Sequence, residues 1–342
     1  MTWGVTGHQW AEQLLRRHLS AGKARQAYLF LGPDGVGKRT LALRLAQALL
    51  CTAPPAPGVW CGACRACRGV PRLAHSDLHP VVVDEDRTQL RVDQIRELQR
   101  QLVLAPLESR CRVALLTDFN LANEEAQNAL LKTLEEPSSQ VVLLLTAESG
   151  DQVLPTILSR CEVLALKPVP AEVIQASLAA RGLGVEQAAR LAVLAGGRPG
   201  LAFALMEDGE RLAQRQAYLD DLRQQLGETV IGRFAYAAGQ FSARRNEPLA
   251  ARRQRAGAML DCWQSLWRDA LLATYQARVA RINVDSVELV DAISQACTPE
   301  EIEGCLLAIS RTAEAIERFV DPQLAVEALL LDLPRVRLSG AA

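Results

Sequence analysis

Apolar positions follow two different rhythms along the chain. Up to about residue 168, short apolar runs alternate with stretches of helical spacing. Tyr28-Leu29-Phe30-Leu31 ends in a glycine-rich turn, and Val81-Val82-Val83, Val113-Ala114-Leu115-Leu116 and the run from Val141 to Leu145 repeat the short pattern. Leu41, Leu45 and Leu49 recur four apart, which marks one face of a helix. Strands that are apolar on both faces and alternate with helices predict a parallel sheet buried between helical layers. After Lys167-Pro168-Val169-Pro170 the strand-like runs stop. Spacing predicts short helices over 171–180, 185–194 and 201–207, separated by Gly182-Leu183-Gly184 and Gly196-Gly197-Arg198-Pro199-Gly200. Longer helices are expected from about 211 to 334. One opens with Thr298-Pro299-Glu300-Glu301, a capping box with proline at the first helical position. The expected fold class is therefore α/β plus all-α: an α/β domain over 1–168, a small helical domain over 169–210 and a helical C-terminal domain over 211–342.

Composition narrows the picture. The chain has 342 residues, 49% hydrophobic and 23% charged, the mix of a globular protein with a substantial core. Its 38 basic and 39 acidic residues leave a net charge of -1, so any contact with DNA must come from a local face rather than from bulk charge. The N-terminus lacks the basic start and apolar run of a signal peptide, and no apolar stretch approaches the ~20 residues that span a bilayer. The expectation is a cytoplasmic protein with no membrane partner. Nine cysteines in a compartment that keeps thiols reduced point to metal binding or apolar packing rather than to disulfides.

Gly32-Pro33-Asp34-Gly35-Val36-Gly37-Lys38-Arg39-Thr40 follows a strand and opens a helix, the setting that a phosphate-binding P-loop requires. Backbone N–H groups there would cradle phosphates and Lys38 would reach the terminal ones. The residue after the lysine should carry a hydroxyl for Mg²⁺, and here it is Arg39. Thr40 lies ~100° further around the helix and cannot simply take over the metal. The carboxylate that should hold Mg²⁺ at the end of a later strand is also missing, because Val113-Ala114-Leu115-Leu116 leads into Thr117-Asp118 with Thr117 at the expected place. Two defects in separate halves of one site predict a retired ATPase site. Gly32, Gly35, Gly37, Lys38 and Thr40 would offer ATP or ADP at most a vestigial phosphate site.

Cys51, Cys61, Cys64 and Cys67 form a C-x9-C-x2-C-x2-C pattern. Four thiolates at such spacing can surround a tetrahedral Zn²⁺ with no open position, which would make it structural rather than catalytic. A reduced, unliganded set and an iron–sulfur cluster are the alternatives. His75 and His79 are expected to be ordinary loop residues.

Two longer tracts carry a resemblance. Asn128-Ala129-Leu130-Leu131-Lys132-Thr133-Leu134-Glu135-Glu136-Pro137 and Leu154-Pro155-Thr156-Ile157-Leu158-Ser159-Arg160-Cys161 resemble the signature of bacterial clamp-loader subunits of the AAA+ class, which load the sliding clamp for DNA polymerase III. The motor subunits of that family, gamma/tau, carry Ser or Thr where this chain has Arg39, an Asp-Glu pair in place of Thr117-Asp118, and a nucleotide-sensing arginine where Gly200 stands. These departures resemble the non-motor, delta-prime kind. The resemblance implies a lid formed by 169–210, a collar formed by 211–342, and gamma/tau and delta partners in a ring of five subunits that acts on primed DNA and the clamp. It also implies that Arg160 projects as an arginine finger into a neighbouring subunit's ATP site, with no catalysis by the chain alone. Two other readings are an autonomous AAA+ ATPase, such as a helicase-loading motor, and a zinc-dependent DNA-binding module on a degenerate P-loop scaffold.

Overall fold

The computed structural model describes residues 3–83, 89–136, 138–241, 247–318 and 320–336; Pro137 of the first signature tract lies outside them. The chain divides into two compact units. One comprises 1–181 with 197–201, and the other 182–196 with 202–342.

The first unit is built on a five-stranded parallel sheet with strand order β2-β3-β4-β1-β5. Its elements, in chain order, are α1 (Gln9–Ser20), β1 (Ala27–Leu31), α2 (Lys38–Leu50), α3 (Arg65–Gly69), β2 (Leu78–Val81), α4 (Val92–Leu102), β3 (Arg112–Leu116), α5 (Glu124–Glu135), β4 (Val141–Ala147), α6 (Pro155–Leu158), β5 (Glu162–Ala165) and α7 (Ala171–Ala179). Successive residues of a strand face opposite sides, so each strand serves two cores. Tyr28 and Phe30 pack with Leu41 and Leu45 on the α1/α2 side. Leu29 packs with Ile95, Leu98 and Leu130 on the α4/α5 side. Every residue of β3 and β4 is buried, which accounts for their unbroken apolar runs.

The sheet departs from the sequence expectation at both edges. β2 lies earlier than the Val81-Val82-Val83 run, because the register pairs Leu78 with Val113 and Val81 with Leu116. Pro80 sits inside β2, which an edge strand tolerates because one side of its backbone has no partner to supply. β5 has no counterpart among the apolar runs of the sequence. It is the opposite edge, with Leu164 buried and Val163 exposed, a pattern too short and too mixed to stand out in sequence.

The regular elements among the described residues of the second unit are all helices. They include α8 (Val185–Leu194), most of α9 (Pro199–Glu207), α10 (Gly209–Gly227), α11 (Val230–Phe241), α12 (Leu249–Thr274), α13 (Val287–Ala296), α14 (Pro299–Glu317) and α15 (Pro322–Asp332). Trp263 and Trp267 of α12 are fully buried in its core. The expected capping box opens α14: Glu301 N donates to Thr298 Oγ1 at 3.3 Å, and Thr298 N donates to Glu301 Oε2 at 2.8 Å. No helix among the described residues is long and apolar enough to cross a membrane.

Candidate functional site

The phosphate-loop residues come together where the sequence puts them, between β1 and α2. Gly35 and Gly37 have φ of 72° and 115°, a left-handed backbone that favours glycine. Gly32 N donates to the carbonyls of Ala147 and Glu148, both at 3.2 Å, which fixes the loop to the end of β4. Several of the loop's carbonyls are taken up within the unit. Lys38 Nζ donates to Gly32 O at 2.6 Å and Pro33 O at 3.1 Å, and the side chain is buried. His8 Nε2 lies 2.9 Å from Val36 O. Gly200 N donates to Gly35 O at 2.7 Å. A Cβ at Gly200 would come within 2.9 Å of that carbonyl, so the segment seats on the loop because residue 200 has no side chain. Burial draws the Lys38 ammonium below the ordinary lysine range, while the carboxylates of Asp34, Glu148 and Asp118 pull the other way. Arg39 and Thr40 are exposed on the first turn of α2. Thr117 is buried, with its N–H donating to Val81 O at 3.2 Å, and Asp118 N donates to Thr146 Oγ1 at 2.9 Å. His8, Glu148 and Gly200's seat on Gly35 join this site only through contacts far apart in sequence.

The four cysteines do converge. Their sulfur atoms all lie within 4.8 Å of one another, with Cys61 and Cys67 at 3.8 Å and Cys51 and Cys64 at 3.9 Å. A tetrahedron with Zn–S bonds of about 2.3 Å has edges of about 3.8 Å, so the donor set fits one ion such as Zn²⁺. The separations far exceed the ~2.05 Å of a disulfide bond. Backbone N–H groups reinforce the sulfurs: Cys61 N donates to Cys51 Sγ, Cys64 N to Cys61 Sγ, and Cys67 N to Cys64 Sγ, at 3.3, 3.3 and 3.4 Å. Burial pushes the Cys64 thiol up, but the hydrogen bonds it accepts from Cys67 and Thr52 outweigh this and hold it down at about 6. Burial raises the Cys67 thiol. Cys51 caps the C-terminus of α2, and Gln47 of the same helix donates to Cys67 O at 2.8 Å. The cluster thus staples the segment between α2 and α3 to the helix that follows the phosphate loop.

His75 and His79 stay outside this set, but they are not both loop residues: His79 lies within β2, paired with Ala114, because the strand starts at Leu78, ahead of the apolar run. His75 Nδ1 accepts from Asp77 N at 3.1 Å. His79 lies between Gln101 and Arg112, at 2.9 and 3.0 Å, and burial lowers its pKa.

Arg160 lies just beyond α6. Pro155 starts that short helix, and fully buried Ile157 anchors it. Gln127 of α5 joins the two signature tracts. Its Nε2 donates to Ala122 O and Gln152 O, both at 3.1 Å, while its Oε1 accepts from Leu154 N at 2.9 Å. Arg160 borders a cleft of about 290 Å³ with Arg25, Ala27 and Glu162. Ala27 is the first residue of β1, whereas the phosphate loop follows its last residue, Leu31. At about 3.3 Å per residue the strand is roughly 16 Å long, which sets the Arg160 cleft at the opposite end of β1 from the chain's own phosphate loop.

Known relatives share these features to different extents. The family described as DNA polymerase III, delta subunit, matches residues 7–170. The DNA polymerase III subunit delta' of Pseudomonas aeruginosa is 36% identical over 226 residues, 65% of this chain and 68% of that one. Its Bacillus subtilis counterpart is 26% identical over 322 residues, 94% of each chain. The tau subunit of Escherichia coli is 35% identical over 178 residues, but these make up 51% of this chain and 26% of tau. Similarity to delta' thus continues into the helices of the second unit, and the chain belongs to the delta-prime subunit family of DNA polymerase III.

Proposed function

We propose that this chain is a non-motor subunit of the DNA polymerase III clamp loader, which helps a gamma/tau-type ATPase and a delta-type partner load the sliding clamp onto primed DNA. Its direct contribution to the chemistry is Arg160. The carrying observation is the position of Arg160 at the opposite end of β1 from the chain's own phosphate loop. A guanidinium there is out of reach of its own P-loop, as a group acting in trans must be. In a neighbour's ATP site it would stabilise the charge that develops as the γ-phosphoryl group is transferred, an effect worth roughly 10³–10⁵ in rate in well-studied GTPases.

The chain's own nucleotide site is read as retired. Lys38 is engaged by loop carbonyls, Gly200 seats on Gly35, and Arg39 and Thr117 stand where Mg²⁺ would need a hydroxyl and a carboxylate. Gly32, Gly35, Gly37, Lys38 and Thr40 are proposed as its vestige. Cys51, Cys61, Cys64 and Cys67 would hold a structural Zn²⁺, with no position left for substrate. Within this reading residues 1–168 form an AAA+ domain, 169–210 a lid and 211–342 a collar that holds the ring.

The test is a reconstituted clamp loader carrying Arg160→Ala. The complex should assemble and bind zinc as before, but load clamps more slowly and hydrolyse less ATP in the presence of DNA and clamp. Wild-type loading rates would overturn the proposal, and a parallel loss of assembly would make Arg160 an interface residue instead.

A further inference from the structure

The guanidinium of Arg160 is already engaged within its own chain. Nη2 donates to Glu135 Oε1 at 2.8 Å, and Nη1 donates to Thr156 O at 2.9 Å and Ser159 Oγ at 3.3 Å. Three of the five N–H donors of an arginine are thereby committed, and the fork that would meet a phosphate cannot be presented whole while they remain so. Glu135 is the last residue of α5, at the helix end whose partial negative charge adds to its pull on a cation. Gln127, on the same helix, holds the start of α6, so the carboxylate and the arginine are carried by elements tied to each other.

The pair is as open to solvent as other surface pairs such as Arg281–Asp291, and unlike the buried pair Arg215–Asp285. Arg215 and Asp285 in the second unit are 14% and 9% exposed, whereas Arg160 and Glu135 are 36% and 50% exposed. A pair that open to solvent contributes little to stability and breaks readily when a stronger anion arrives. A nucleoside triphosphate is such an anion, with more charge and more acceptor oxygens than one carboxylate.

We infer that Glu135 is a positioning residue that parks Arg160 when no triphosphate faces it, and yields it when a neighbour's nucleotide docks against the cleft. The inference rests on the trans role proposed above for Arg160. Glu135 would set the threshold at which the finger engages, so that hydrolysis stays low until assembly on DNA and clamp brings the neighbouring site close. Removing its charge lowers that threshold without changing what the finger does once engaged.

The experiment compares reconstituted complexes carrying wild-type chain, Glu135→Gln, Glu135→Asp, Arg160→Ala and the Glu135→Gln/Arg160→Ala pair, with ATPase measured both without and with DNA and clamp. Glu135→Gln should raise the unstimulated rate of the one site that Arg160 serves about two- to fivefold, the range over which an exposed ion pair shifts an equilibrium, and the rate of the whole complex by that site's share of it. The stimulated maximum should be unchanged, so the stimulation ratio falls. Glu135→Asp, which keeps the charge, should restore most of the wild-type ratio. The double variant should match Arg160→Ala, because nothing remains to be parked. If Arg160→Ala has no effect, the finger reading fails and this inference fails with it. If Arg160→Ala lowers the rate but Glu135→Gln leaves the ratio unchanged, or lowers the stimulated rate, the finger stands and the parking role is wrong.

Discussion

The two ends of β1 present opposite solutions to the handling of phosphate. At the C-terminal end a well-formed phosphate loop turns its groups inward: Lys38 bonds to the loop's own carbonyls and Gly200 occupies Gly35 O. At the N-terminal end Arg160 is half-exposed beside a cleft, held by a surface carboxylate. One end keeps the shape of a phosphate loop while Lys38 and Gly200 take up its carbonyls. The other end keeps a cation that its surroundings can release. A P-loop motif is thus compatible with a scaffold role, because the same glycine turn that cradles phosphate also fixes the end of β1 against β4. The loop is tied into the sheet through Ala147 and Glu148, and the proposed chemistry lies at the far end of the strand.

Substitutions can break or sharpen that contrast. The largest effect is expected from Cys64→Ser, which should act on both ends alike. Metal binding at four thiolates is coupled to folding, with apparent contributions on the order of 10 kcal/mol in zinc-finger peptides, so losing one ligand should destabilise the first unit by several kcal/mol. Elemental analysis should find about one zinc per wild-type chain, and the variant should melt earlier. A metal-free wild-type chain, purified under reducing conditions without chelator, would remove the basis for this expectation.

Gln127→Ala should separate the two ends. It strands Leu154 N–H and the carbonyls of Ala122 and Gln152, each a buried or partly buried group whose lost partner costs ~1–3 kcal/mol. The segment bearing Arg160 should loosen and ATPase stimulation in the complex should fall. The α2 and β1 amides should keep their protection in hydrogen exchange. Equal loss of protection at both ends would show that they are not independent.

Rebuilding the metal-ligand positions beside the phosphate loop should achieve less. Arg39→Thr with Thr117→Asp restores the two residue types that Mg²⁺ needs, but Lys38 remains bonded to Gly32 and Pro33 and Gly200 remains seated on Gly35. The isolated double variant should show no steady ATP turnover. Turnover at a motor's rate would mean that side-chain identity alone had silenced the site. The smallest effect is expected from Lys38→Ala, which should change the ATPase of the assembled complex by less than about twofold. Burying an unpaired cation is what it avoids, not a catalytic contact.

Much of this contrast was legible in the sequence, and what was not has a common cause. The phosphate loop and the four-cysteine pattern are local spacings, and the structure brings their residues together. Arg39 and Thr117 mark the missing metal ligands by residue type alone. The signature tracts led to Arg160, but not to its partner, because Glu135 and Arg160 are 25 residues apart and meet only through the packing of α5 and α6. The seat of Gly200 on Gly35 was equally hidden. Sequence marked Gly200 only as a departure from the motor subunits, whereas the structure shows that a side chain there would press on the loop. The strands that the apolar pattern does not mark correctly are the sheet's edges. β2 carries a proline and β5 alternates over four residues, so neither has the unbroken apolar run that burial on both faces imposes on β3 and β4.

The division of labour along β1 is tested most directly by the first turnover of ATP in the assembled complex. Rapid mixing with ATP, DNA and clamp gives a burst whose amplitude counts the sites that fire together. Replacing wild-type chain by Arg160→Ala should reduce that amplitude by the share of one site, with assembly and zinc content unchanged. Arg160→Lys should rescue it poorly, because an ammonium cannot present the planar fork of a guanidinium. An undiminished burst from the Arg160→Ala complex, or a loss of one site's share on Lys38→Ala instead, would contradict the account.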